Sequence, residues 1–129
     1  MGMAKEVLRS GPYADLMAQG VRVGNTLYLS GQVGMGEDGN IPDDIVEQTM
    51  LAYQHIAAVL TEFGATMDNI VDETFVVTSV AETMEHLEAV YGAREQAYGQ
   101  KPEVSQTLVE VAGLLLPGLK LEIKCIAHF

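Results

Sequence analysis

Residues 119–128 constrain this chain more than any other segment. Leu119, Leu121, Ile123, Cys125 and Ala127 fall on one side of a strict alternation, and Lys120, Glu122, Lys124, Ile126 and His128 on the other. Successive side chains of a strand point to opposite faces, so the first set marks a sheet face that belongs to a core. The second set is too mixed for a core and too apolar at its end for plain solvent. Helices are expected to cover one face of the sheet, and the other face to be used in oligomerisation.

The rest of the chain supplies those helices and the other strands. Residues 21–23 and 26–33 alternate around Gly24-Asn25, a hairpin signal. A loop of turn formers follows over residues 34–42. The first helix opens at Asp44, with Glu47 three residues on as a capping-box partner. Its stripe is Ile45, Thr49, Ala52, Ile56, Val59 and Phe63, and Gly64 ends it. Residues 70–80, with Thr74-Phe75-Val76-Val77-Thr78 at their centre, read as a strand. Ser79 and Glu82 cap a second helix that is expected to run unbroken to Tyr98-Gly99, its stripe being Val80, Met84, Leu87, Tyr91, Arg94 and Tyr98. Two strands, 107–112 and 119–127, close the chain around Pro117-Gly118. The order β-β-α-β-α-β-β predicts an α+β fold, a mixed sheet with two helices on one face.

A chain of 129 residues without linker or repeat reads as a single domain, 1–129. With 48% apolar and 19% charged residues it is ordinary globular material. Leu114-Leu115-Leu116 is closed by Pro117, too short for a membrane span. The first residues, MGMAKEVLRSG, carry no apolar signal core, and Cys125 is the one cysteine, so a cytoplasmic location is expected. Seven Lys and Arg against 18 Asp and Glu leave a net charge of −11. Nucleic-acid binding draws on phosphate-neutralising cations, and the seven here are scattered, which disfavours RNA or DNA as a partner. His55, His86 and His128 lack metal-ligand spacing, and no metal is expected. The glycines Gly34, Gly36 and Gly39 have no lysine behind them and read as a hairpin loop, not a phosphate cradle.

Several segments resemble the reactive intermediate deaminase (Rid/YjgF) family. They are Val21-Arg22-Val23-Gly24-Asn25-Thr26-Leu27-Tyr28-Leu29-Ser30-Gly31-Gln32-Val33-Gly34, then Glu47-Gln48-Thr49 with Gly64-Ala65, then Val109-Glu110-Val111-Ala112, and finally Leu121-Glu122-Ile123-Lys124-Cys125-Ile126-Ala127. The resemblance implies a chorismate-mutase-like fold, a homotrimer with sites in the clefts between subunits, and cofactor-free hydrolysis of enamines or imines to a carbonyl product and ammonia. It also implies that Ser30 and Gly31 line the pocket and that Glu122 orients water or substrate.

The arginine that grips a substrate carboxylate in the active deaminases falls on Gln106, beside Thr107. The family's cysteine falls on Leu108, and its second-helix asparagine on Glu88. Gly11-Pro12-Tyr13 lies four residues too far from Gly24-Asn25, so an ungapped count puts Met17 at the family's tyrosine. Gln106 offers no charge, where a charge-assisted bond is worth about 1.5–3 kcal/mol. Arg94, on the apolar stripe of the second helix, either snorkels to solvent or points into a cleft and replaces the missing cation. The candidate site is thus Glu122 as the catalytic residue, with Ser30, Gly31, Gln106, Thr107, Glu88 and Arg94 around the substrate. The expected activity is deamination of an enamine or imine other than the usual short imino acids. A trimer that binds a small metabolite without turnover is the alternative; an endoribonuclease or translation inhibitor is a third, disfavoured by charge.

Overall fold

The computed structural model describes residues 4–129. The strands are β1 (Lys5–Leu8), β2 (Gly20–Val23), β3 (Thr26–Leu29), β4 (Gln32–Val33), β5 (Ile70–Val77), β6 (Ser105–Glu110) and β7 (Leu121–His128). They form one sheet in the order β1-β2-β3-β7-β5-β6, with β4 also paired to β7. Among the described residues only β5 and β6 run parallel; the other pairs are antiparallel. A parallel pair needs a crossover, supplied by α2 (Val80–Glu85) and α3 (Leu87–Tyr98). The long helix α1 (Ile45–Glu62) lies beside α3 and over β4 and β7.

The alternation in β7 is realised as read: Leu121, Ile123, Cys125 and Ala127 are fully buried with Leu27, Leu29, Phe75, Val77, Ile56 and Leu60 in one core. Among the described residues no helix covers the opposite face of the sheet, which exposes Val7, Tyr28 and Val109. Asp44 caps α1 by accepting from the Val46 amide, and Gly64 leaves it at φ +73°. Gln48, fully buried, ties α1 to the sheet. Its amide donates to the carbonyls of Pro42 (2.8 Å) and Gly118 (2.9 Å) and accepts from the Lys120 amide at 2.8 Å. Gly34 passes so close that a Cβ there would stand 2.3 Å from the Gln48 Cα.

Three expectations are corrected. Strand β1 was not read, because Lys5–Leu8 is largely exposed and carries no apolar alternation. Residues 26–33 are not one strand: β3 stops at Leu29, and Ser30-Gly31 leads into the short β4. The second helix is two. Its chain breaks at His86 (φ −111°, ψ 22°), after Thr83 turns its hydroxyl back onto the Ser79 carbonyl at 2.7 Å, a contact that bends helices. The break shifts the buried phase to Thr83, Val90, Ala93 and Tyr98, leaving Met84 and Leu87 exposed.

Candidate functional site

The predicted residues gather at two places. At the first, the β3–β4 junction crosses the open face of the sheet. Gln32 pairs with Ile123 and Val33 with Glu122. A Cβ at position 31 would lie 2.2 Å from Glu122 Oε2 and 2.6 Å from its Cδ, so any side chain there must push the carboxylate aside. The carboxylate therefore rests against bare backbone. Ser30 is held by its own hydroxyl, which donates to the Ala18 carbonyl at 2.6 Å, so its side chain is committed to the scaffold. Gln32 donates to Gln19 Oε1 at 2.8 Å and stiffens the same mouth.

Glu122 is half-buried and finds no ion pair among the described residues. The two flanking lysines are engaged elsewhere. Lys120 pairs with Glu82 at 2.7 Å, and Lys124 donates to the Leu29 carbonyl. Burial pushes the Glu122 carboxyl above the ordinary carboxylate range, and the charge of Lys124 offsets this only in part. A strand glutamate held by its neighbours is not what this geometry describes.

At the second place, α1, α3, β5 and β6 meet around Glu73, which is fully buried. Glu73 shares the parity of Phe75 and Val77 on β5, so its side chain enters the core. Tyr53 donates to both its oxygens (3.0 and 3.1 Å), Tyr98 to Oε2 at 2.7 Å and Gln106 to Oε1 at 2.8 Å. The Arg94 Nε donates to Oε1 as an ion pair. Four donor groups on an acceptor-only carboxylate leave no buried polar atom unpartnered among the described residues. Burial and the Glu73 charge push the hydroxyls of Tyr53 and Tyr98 far above their ordinary range. Burial alone would lower Arg94, but the bond and charge of Glu73 outweigh it and raise it.

Arg94 therefore turns its Nε inward onto Glu73, and only the η end of its guanidinium reaches toward the surface. Its side chain is 12% exposed and its charge is matched inside the chain. Gln106 is oriented by two partners, donating to Glu73 and accepting from the Tyr91 hydroxyl at 2.5 Å. Thr107 points to the opposite face of β6 and is exposed, on the same side of the sheet as Glu122. Glu88 is exposed in the first turn of α3.

Within one chain the two places stay apart. Gln106 lies in register with Glu73 and Cys125, whereas Glu122 lies in register with Val76, on the other face. Glu73 and Tyr53 were missed from the sequence. The signal was there: an acidic residue in phase with the buried Phe75 and Val77, and a tyrosine four residues after Thr49 on the α1 stripe.

Residues 5–129 match the family model described as Endoribonuclease L-PSP. Among curated relatives, the RutC family protein YjgH of Escherichia coli is 35% identical over 84% of this chain and 79% of its own length. A 2-iminobutanoate/2-iminopropanoate deaminase of Dermatophagoides farinae is 40% identical over 47% of this chain and 46% of its own. The fold superposes on a Mycobacterium tuberculosis member of the YjgF family with a TM-score of 0.82, 29% identity, and 98% and 100% of the two chains covered.

Proposed function

The chain belongs to the Rid/YjgF family, and from that premise we propose that it is an enamine or imine hydrolase whose water-activating group is Glu122. The observation that carries the reading is the Glu122 carboxylate, half-buried against Gly31 with both neighbouring lysines bound elsewhere. A carboxyl raised above its usual range is a better base near neutral pH than an ordinary glutamate. An enamine first takes a proton on carbon and gives one up from nitrogen, becoming the imine. Water then adds to the imine carbon: its oxygen forms the C–O bond, Glu122 takes the released proton, and the C=N π pair moves to nitrogen. Glu122 returns the proton to nitrogen to give the carbinolamine. The hydroxyl proton then passes through Glu122 to nitrogen, the oxygen pair forms the C=O bond as the C–N pair leaves with nitrogen, and a carbonyl compound and ammonia depart.

The site works in a homotrimer on this reading. The open sheet face, with Tyr28, Val7 and Val109 exposed beside Glu122, is the surface a second copy covers. Such a cleft can bring Gln106 of one subunit near Glu122 of another. The substrate is not one of the short imino acids, because Gln106 supplies no charge and that of Arg94 is spent on Glu73.

The net charge of −11 argues against RNA cleavage. Binding without turnover remains the second reading, supported by the way Gln106 is locked into the scaffold.

The test is ammonia release from a panel of enamines and imines of increasing length, with the wild type and Glu122→Gln compared. The amide should lower turnover about 10²–10⁴-fold while leaving the assembly intact, since it cannot take up a proton. A rate that survives the change refutes the mechanism. A panel that binds without releasing ammonia favours the binding module.

A further inference from the structure

The polar cluster at the end of α3 has a chemistry of its own. Arg94 contributes one cation and Glu73 one anion, and Tyr91 and Gln106 are neutral, so the cluster carries no net charge. The Gln106 amide is fixed by its two bonds, its oxygen on the Tyr91 hydroxyl and one N–H on Glu73. One N–H of that amide remains. The η nitrogens of Arg94 find no acceptor among the described residues, yet no fully buried nitrogen there is unpartnered. They therefore keep some contact with solvent, and the guanidinium carbon Cζ stands 5.8 Å from the centre of the Tyr91 ring and 5.7 Å from that of Tyr98. What Arg94 and Gln106 have left to offer is donors, since the Tyr91 hydroxyl already donates its proton to Gln106.

A ligand here must supply acceptors. A carboxylate would bring a second negative charge next to Glu73, with the single cation already paired and its surroundings half-dry, where an uncompensated charge is costly. A carbonyl oxygen brings acceptors without that charge. We propose that Arg94 and Gln106, with Gln106 fixed by Tyr91 and the cluster held at zero net charge by Glu73, bind an uncharged acceptor such as an amide or ketone oxygen and discriminate against a carboxylate. Glu73 is then the positioning residue that sets substrate class. The assignment rests on the cleft reading above, because it takes Gln106 to face a ligand, but its test reads binding and needs no turnover.

Pyruvamide and pyruvate differ by carboxamide against carboxylate and serve as the probes. Each is titrated into nitrogen-15-labelled protein while the Gln106 side-chain amide and the Arg94 Nε resonances are followed. Pyruvamide should shift both, with a Kd at least about tenfold below that of pyruvate. Glu73→Gln leaves the cluster one positive charge in surplus and should reverse the preference. Gln106→Arg adds the same surplus from the other side and serves if the core substitution fails to fold. Pyruvate binding as tightly as pyruvamide to the wild type overturns the proposal, as does the absence of any shift with either probe up to its solubility limit. An imine panel that releases no ammonia would end the deaminase reading and leave this preference standing.

Discussion

Replacing Arg94 by Met tests whether the Glu73 cluster holds the fold together. Methionine keeps much of the stem that packs beside Tyr91 and Tyr98 and removes only the charge and its donors. Glu73, at 0% exposure, would then hold its charge with three neutral donors, Tyr53, Tyr98 and Gln106. Breaking a buried pair from one side costs about 3–5 kcal/mol, and the three surviving bonds place Arg94→Met at the lower end, about 3 kcal/mol. Removing the other partner should cost less. In Glu73→Gln the stranded group is Arg94, whose η nitrogens already reach water, so about 1–2 kcal/mol is expected. The double variant should fall short of the sum by at least about 1 kcal/mol, because the second change no longer strands a charge. Urea denaturation followed by circular dichroism measures all three, at one protomer concentration so that assembly does not enter the comparison. A cost below about 1 kcal/mol for Arg94→Met, or simple additivity, would show that the pair behaves like an exposed ion pair and would refute the reasoning.

Three further expectations follow from the geometry. Gly31→Ala pushes a methyl into Glu122, whose carboxylate can swing away, so turnover should fall while the unfolding midpoint moves little; a large loss of stability would mean the backbone, not Glu122, gives way. Tyr53 and Tyr98 hold their protons more tightly folded than unfolded, so their stabilisation is complete below their ordinary value near 10 and lost as pH rises above it. The slope approaches about 1.4 kcal/mol per pH unit for each tyrosine, and in alkaline urea titrations Tyr98→Phe should remove one such share from it. Light scattering on a sizing column should give about three times the 13.9 kDa chain mass, and a clean monomer at micromolar concentration would remove the intersubunit cleft.

Much of this fold is local and was legible for that reason. The β7 alternation, the Asp44 cap, the Gly24-Asn25 hairpin and the Ser79 cap each follow from backbone preferences within a few residues. The pairing of Ser30-Gly31 with Glu122 could be anticipated only through the resemblance, since nothing nearby in sequence joins positions 31 and 122. Long-range packing decided the rest. The turn at His86 changed which residues of α2 and α3 face inward, and a helical period drawn through the break chose the wrong ones. Glu73 read as one residue in a β-branched strand, because its meaning comes from partners 20, 21, 25 and 33 positions away. Arg94 shows the same limit. From its stripe alone an arginine should reach for water, and only a buried carboxylate delivered by a different strand turns it inward. The sequence by itself determined the first helix, the Gly24-Asn25 hairpin, the strand around Phe75, the last strand and the two-faced sheet. Tertiary structure decided where the charges are spent, because electrostatic partners are chosen by distance in space, to which the order of residues along the chain is blind.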